Sequence, residues 1–221
     1  MQNPKLIVML TYNDRTVPNA PEIFRACKDS NAEIWGFKEE GLEPENMKAL
    51  FAEMKVCGKK TALEVVAYTE EECMAGAQLA AVCGCDILMG TMYSDAILEL
   101  CRVHGMKYMP FVGDVTERPS VLRGTPEDMI AEANTYLERG ADGIDLLGYR
   151  YVGDAPALNA AFVAGVDAPV VIAGSINSTK RLDEVRQSGA WAFTIGSAFF
   201  DGCFGADLRQ AIDFVCDYME R

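Results

Sequence analysis

The 221-residue chain contains a single histidine, no paired CxxC, no GxGxxG fingerprint and no apolar run long enough to cross a bilayer. It is also short of positive charge, with 20 Lys and Arg against 33 Asp and Glu, a formal net charge of −13. That balance leaves no electrostatic footprint for a phosphate backbone or an anionic lipid, so nucleic acid and membrane are not expected partners. The first apolar stretch, Leu6 to Thr11, is too short for a signal h-region or a membrane span, and the expected location is cytoplasmic. The eight cysteines lie in apolar or helical settings. Cys83-Gly-Cys85 is the nearest pair, and without a partner His or a second pair it reads as buried free thiols rather than a metal site. No cofactor is expected, and no metal, because Glu64, Asp114 and Asp145 have no spaced-ligand motif around them.

What the chain does have is a rhythm. Short β-rich runs alternate with longer amphipathic segments, eight times over, at about 28 residues per unit. The predicted strands are Leu6–Tyr12, Glu33–Lys38, Thr61–Ala67, Asp86–Thr91, Tyr108–Gly113, Gly143–Tyr149, Val170–Gly174 and Ala192–Gly196. The predicted helices are Ala20–Lys28, Pro44–Cys57, Glu70–Cys83, Asp95–His104, Pro126–Arg139, Pro156–Ala164, Thr179–Gln187 and Ala206–Glu220. Thr69-Glu70-Glu71-Glu72 reads as a capping box, Thr125-Pro126 as a cap followed by an N1 proline, and Gly58, Gly84, Gly105 and Gly140 as helix stops. Alternation of this kind implies a parallel sheet, and eight units in about 220 residues fit one α/β domain, a (β/α)8 TIM barrel spanning residues 1–221. A doubly wound open sheet would need a glycine-rich phosphate turn after an early strand, and Leu10-Thr11-Tyr12-Asn13-Asp14 offers none.

The most specific local feature is a pair of turns. Strands seven and eight both end in Gly-Ser, at Gly174-Ser175 and Gly196-Ser197. Glycine admits close approach of the backbone to a ligand, and exposed amides with serine hydroxyls form an anion seat, at a place where barrels recurrently hold phosphate. From Pro169 to Phe200 the sequence resembles the phosphate-binding TIM-barrel superfamily, which includes indole-glycerol-phosphate synthase, phosphoribosylanthranilate isomerase, thiamine-phosphate synthase and the orotidine-phosphate and keto-gulonate-phosphate decarboxylases. The resemblance implies that Gly174, Ser175, Gly196 and Ser197 contact a substrate phosphate. Ser175 stands where that family often has a second glycine.

Catalytic groups in barrels sit at the C-terminal ends of strands, which sorts the remaining candidates. His104, Lys59, Lys60 and Lys107 precede strands and fall on the opposite face, so histidine general-base chemistry is not expected. In Trp35-Gly36-Phe37-Lys38 the two-residue period turns Trp35 and Phe37 toward the helices and Gly36 and Lys38 toward the lumen. Glu64 interrupts an otherwise apolar third strand, where a carboxylate needs a partner, and Lys38 on the neighbouring strand is the expected one. The pair serves either proton transfer or barrel cohesion. Asp114 is placed at the end of strand five and Arg150 at the end of strand six, where its fork suits a carboxylate or second anionic group. Asp145 ranks below them because alternation puts it on the face opposite Arg150. The loop Asn13–Asn19 reads as a lid over the site or a solvated turn.

The expected protein is therefore an enzyme acting on a small phosphorylated metabolite, a sugar phosphate or keto acid phosphate, by lyase, decarboxylase or isomerase chemistry through an enediolate or carbanion. Lys38, Glu64, Asp114 and Arg150 are its candidate catalytic groups. Two other readings stand beside it. In one, Lys38 forms a Schiff base, although the familiar class I aldolase barrels carry that lysine on strand six, where this chain has Arg150. In the other, the barrel is a non-catalytic phosphometabolite sensor, similar to the glycerol-phosphate-responsive antiterminator regulators. The Asp-x-Lys-x-x-Asp motif of the decarboxylase branch is absent from strand three. Homo-oligomerisation is compatible with the sequence, which identifies no interface.

Overall fold

The computed structural model describes residues 3–221. Eight parallel strands, β1 (Lys5–Met9), β2 (Ile34–Lys38), β3 (Lys60–Val65), β4 (Ile87–Gly90), β5 (Lys107–Met109), β6 (Ile144–Leu146), β7 (Val170–Ile172) and β8 (Ala192–Ile195), form one sheet in the order β6-β7-β8-β1-β2-β3-β4-β5. They alternate with eight principal helices, α1 (Ala20–Cys27), α2 (Pro44–Val56), α3 (Glu70–Cys83), α4 (Asp95–His104), α5 (Pro126–Arg139), α6 (Ala155–Gly165), α7 (Thr179–Ser188) and α8 (Leu208–Glu220). The sheet curls until β5 meets β6, where Asp142 N donates to Tyr108 O at 2.9 Å and Asp145 N to Pro110 O at 3.0 Å. Pro110 has no amide to return a bond, which limits this seam to a few contacts and leaves the barrel nearly closed. The architecture is a (β/α)8 barrel.

Two separate apolar clusters show how alternation builds it. Ile7, Met9, Ile34, Ala62, Ile87, Met89, Met109, Val171 and Ala192 fill the lumen, while the residues between them pack outward against the helices. On β2, Trp35 meets Phe24 of α1 edge-on at 5.2 Å between ring centroids, and Phe37 stacks on Phe51 of α2 at 4.2 Å. Helix ends follow the local chemistry. Thr69 caps α3, its hydroxyl accepting from the Glu72 amide and donating to the Glu72 carboxylate, and Gly84, Gly105 and Gly140 are left-handed stops.

Three small elements at the C-terminal end of the barrel are additions to the eightfold pattern. Thr11–Tyr12 and Arg15–Thr16 form a hairpin after β1, and Asp114–Thr116 and Val121–Arg123 form a second after β5. Ser197–Phe200 is a single helical turn after β8. Among the described residues no helix is long and apolar enough to cross a membrane, and all eight cysteines are free.

Candidate active site

The register of the sheet brings the first two site residues together. On β2 and β3, Gly36 pairs with Ala62 and Lys38 with Glu64, so both charged side chains enter the lumen at one level. Gly36, one step below Lys38, cannot carry a side chain: a Cβ there would lie 2.7 Å from the Ala62 carbonyl oxygen and 3.0 Å from Met9 Sδ. The lysine stem thus rises over a floor made by Met9.

Lys38 Nζ donates to Asp14 Oδ1 at 2.8 Å and stands 3.5 Å from Glu64 Oε1. All three side chains are buried, at 7%, 11% and 6% exposure. Asp14 comes from the hairpin after β1. Asn13 and Asp14 have φ of 49° and 63°, so the two residues between the short strands form the turn with two positive φ values that suits hairpins, and the turn tips Asp14 inward. The segment read as a lid or a solvated turn is thus partly an ordered hairpin fixed to the mouth, with Asn13 N donating to Ser197 Oγ at 3.1 Å.

A third carboxylate lies deeper. Asp145 on β6 is fully buried, and neither of its oxygens has a well-formed hydrogen bond. Burial pushes its carboxyl well above the usual range, the Glu64 charge pushes the same way, and Lys38 opposes both. Glu64 is also raised, first by burial and against the pull of Lys38. For Asp14 burial pushes up, but the charge and hydrogen bond of Lys38 outweigh it, helped by Arg150 and Arg118, and the carboxyl falls below its ordinary value. Burial would lower the Lys38 ammonium, yet Glu64 and Asp14 together raise it, so the lysine is held protonated.

These groups open into a cavity of about 180 Å³ at the C-terminal end of the barrel. Asp14, Lys38 and Glu64 line it together with Arg150, Ser120, Gly174, Ser175, Gly196 and Ser197. The two Gly-Ser turns therefore share one cavity with the lysine. Gly174 has φ 119°, and a Cβ at that position would meet the Tyr149 main chain at 3.1 Å. Arg181 of α7 clamps the turn from behind by donating to the Ser175 carbonyl and the Asn177 side chain, with its guanidinium 4.9 Å from the Tyr149 ring centre. At Gly196 a Cβ would lie 2.5 Å from Thr11 Oγ1. The amides of Ser197 and Ala198 begin a helical turn and so have no intrahelical acceptor. Ser197 Oγ accepts from Asn13 and keeps its own hydrogen to donate.

Asp114 is placed differently from its expected position. Strand β5 stops at Met109, before Pro110, and Asp114 opens the second hairpin, exposed and outside the cavity lining. Asp145 departs the other way. β6 ends at Leu146 and Gly148–Arg150 form a 3-10 turn, so the two-residue period cannot be extended from Asp145 to Arg150, and Asp145 belongs to the lumen. His104 ends α4 on the far face, exposed, and Lys60 and Lys107 are exposed as well. Lys59 spends its ammonium on the Ser30 and Ala32 carbonyls.

No family model matches the chain, and no curated protein does. Solved structures do. A structure described as native KDPGal superposes with a TM-score of 0.70 at 15% identity, covering 100% of this chain and 96% of the other. They share the barrel fold. Tryptophan synthase from M. tuberculosis superposes at 0.70 and 17% identity over 98% of this chain and 93% of that one. N-acetylmannosamine-6-phosphate 2-epimerase from Clostridium perfringens gives 0.64 at 16% over 88% and 86%.

Proposed function

We propose that the protein is an enzyme that moves a proton on a small phosphorylated carbonyl compound, by isomerase or lyase chemistry through an enediolate-type intermediate. The observation that carries this reading is the Lys38–Glu64 pair, buried in register at the base of the cavity that the two Gly-Ser turns also line. The phosphate sits against Gly174-Ser175 and Gly196-Ser197, where amides and hydroxyls point donors at it. The substrate carbonyl oxygen faces the Lys38 ammonium. Glu64, as carboxylate, takes the proton from the adjoining carbon, the electron pair of that C–H bond becomes the new C=C bond, and the π pair of the C=O bond moves onto the carbonyl oxygen, where Lys38 offsets the new charge. Return of the proton to a different face or atom completes an isomerisation, and the same intermediate is what a retro-aldol or decarboxylation step would release. A carboxyl raised by burial is a stronger base than a solvated one, which suits work near neutral pH.

The charge state of Lys38 favours this over a Schiff base. A nucleophilic amine must be neutral, whereas Asp14 and Glu64 hold this one as the ammonium. The barrel fold alone does not separate enzyme from sensor, but a sensor has no need of a buried ion pair at its binding site.

The test is a panel of sugar phosphates and keto acid phosphates assayed for turnover and for exchange of a substrate C–H proton with deuterated solvent. Exchange should be lost in Glu64→Gln and fall by about 10²-fold or more in Lys38→Ala. Ligand binding with neither exchange nor turnover in the native protein would identify a sensor, and reductive trapping of substrate on Lys38 by borohydride would replace proton transfer with covalent catalysis.

A further inference from the structure

Arg150 stands apart from the other arginines: Arg221 is the only other one without a side-chain partner among the described residues, and it is exposed at the chain end, whereas Arg150 is half-buried in the cavity. The protein carries a net charge of −13, and Arg15, Arg25, Arg102, Arg118, Arg123, Arg139, Arg186 and Arg209 each have a carboxylate within 4.0 Å. Arg181 is engaged with the Ser175 carbonyl and Asn177. The Arg150 side chain, half-buried and lining the cavity, has neither an ion-pair nor a hydrogen-bond partner among the described residues. Lys38, the other cation lining the cavity, is already shared between two carboxylates.

The backbone that presents Arg150 is fixed. Arg150 N donates to Leu147 O at 2.9 Å within the 3-10 turn, and Tyr149 N donates to Ala173 O at 3.2 Å. Gly148 beside it is packed so closely against Asn159 that a Cβ would sit 1.8 Å from Asn159 Oδ1. Tyr149 is bonded to Glu184 at 2.8 Å. A rigid turn that delivers an uncompensated guanidinium into a cavity is arranged for an anion that arrives with the ligand. Its field reaches Asp14, the partner of Lys38, so it stands near the reacting end as well as near the Gly174 turn. Ser120, held by the Tyr68 hydroxyl at 3.0 Å, adds a second polar group to the same cavity.

We propose that Arg150 binds a carboxylate of the substrate, so that the preferred ligand carries two anionic groups, a phosphate and a carboxylate, as phosphorylated keto acids and sugar acids do, rather than a phosphate alone. This rests on the reading of the Gly-Ser turns as the phosphate seat and narrows the substrate class to acids. A guanidinium holds a carboxylate through two parallel N–H···O bonds, and this geometry discriminates against a hydroxymethyl group in the same place.

The test compares 3-phosphoglycerate with glycerol 3-phosphate, which share a phosphorylated three-carbon chain and differ in carrying a carboxylate or a hydroxymethyl at its far end. Affinities are measured by calorimetry on the native protein and on Arg150→Gln. The expected result is that the native protein binds 3-phosphoglycerate at least about tenfold more tightly. Arg150→Gln should bring the two within about twofold while leaving glycerol 3-phosphate unchanged. Equal affinities in the native protein would overturn the inference and leave the phosphate reading intact. An equal loss for both ligands in Arg150→Gln would also overturn it, by assigning Arg150 to the phosphate. Failure of the native protein to bind either ligand or inorganic phosphate would remove the phosphate seat itself, and the inference with it.

Discussion

Replacing Lys38 by Met keeps the unbranched apolar stem and deletes the ammonium, with its charge and its hydrogen bond to Asp14. At 2.8 Å from Asp14 and 3.5 Å from Glu64, the ammonium attracts the two carboxylates by about 6 and 5 kcal/mol at an effective dielectric near 20. Much of that attraction offsets the cost of taking the charges out of water. Removing one member of such a buried group typically costs about 3–5 kcal/mol, because the partners are left buried and uncompensated. At about 2–4 °C per kcal/mol for a chain of this size, Lys38→Met should melt roughly 6–20 °C lower at pH 7.5. The pH dependence gives the sharper check. Without the ammonium, burial pushes the Asp14 carboxyl upward against only the weaker pull of Arg150 and Arg118, and Glu64, already raised by burial in the native protein, is expected to rise further. Their protonation then favours the folded form, and the variant regains stability as pH falls. In the native protein Asp14 has the opposite sign: its lowered carboxyl contributes stability that is lost only in acid below about pH 4, so between pH 7.5 and pH 5 the change comes from the variant regaining stability. The gap between native and variant in urea unfolding should therefore narrow steadily from pH 7.5 to pH 5. A gap that stays constant with pH, or one under about 1 kcal/mol at pH 7.5, would refute the claim that these three charges are electrostatically interdependent.

Three further outcomes follow from the same geometry. Asp145→Asn removes a carboxyl whose folded pKa lies well above its unfolded one, a group that costs stability as pH rises through that interval at about 1.4 kcal/mol per unit of separation. The variant should be as stable as the native protein or more so at pH 7.5, with a flatter stability profile by urea unfolding between pH 5 and pH 8. Gly196→Ala would place a Cβ 2.5 Å from Thr11 Oγ1 and 2.9 Å from the Thr11 carbonyl oxygen. It should destabilise by about 1–3 kcal/mol and, by moving the hairpin turn, weaken anion binding measured by calorimetry. Inorganic phosphate at 100 times its dissociation constant should stabilise the native protein by about 2.7 kcal/mol, seen as a rise of about 5–10 °C in melting temperature.

The sequence and the structure agree best where a strand runs straight through the sheet. On β2 and β3 the alternation that turned Trp35 and Phe37 outward also turned Lys38 and Glu64 inward, because the period holds as long as the ladder does. It stops serving where the ladder ends. β5 stops before Pro110 and β6 at Leu146, so extending strand five to Asp114 crossed a proline break and counting in twos from Asp145 to Arg150 crossed a 3-10 turn. Asp14 was legible in principle. Asn13-Asp14 are residue types that tolerate positive φ, with Thr11-Tyr12 and Arg15-Thr16 on either side, a weaker hairpin signal than Asn-Gly but of the same kind. That the hairpin would fold inward onto a lysine of the neighbouring strand depends on the packing of Thr16, whose hydroxyl accepts from Lys38 N at 3.0 Å and donates to Lys38 O at 2.7 Å. No local pattern encodes that pairing. The Arg181 clamp behind Ser175 is likewise invisible in the sequence, since it joins a helix to the turn before it through a carbonyl that every residue possesses.

The charge count in the lumen constrains the chemistry more tightly than the identity of any one residue. Three carboxyls, Asp14, Glu64 and Asp145, surround one ammonium, and all four groups are buried or nearly so. Asp14 is the one whose carboxyl is lowered, by the Lys38 charge and hydrogen bond, and the two carboxyls pushed upward by burial lie deeper, Asp145 further above its ordinary value than Glu64. A phosphorylated ligand brings still more negative charge into this space. In the proposed reading, donors outside the triad receive that charge: the amides and hydroxyls of the two Gly-Ser turns for the phosphate, and Arg150 for a second anion. With those anions held apart from the triad, the substrate carbonyl is the one neutral polar group left to meet Lys38. There the charge that develops on its oxygen replaces part of what Glu64 gives up when it accepts a proton. In the proposed reaction, an ammonium committed to Asp14 at the mouth and relieved of Glu64 stabilises an oxyanion without itself losing a proton, which favours proton transfer over attack by a free amine.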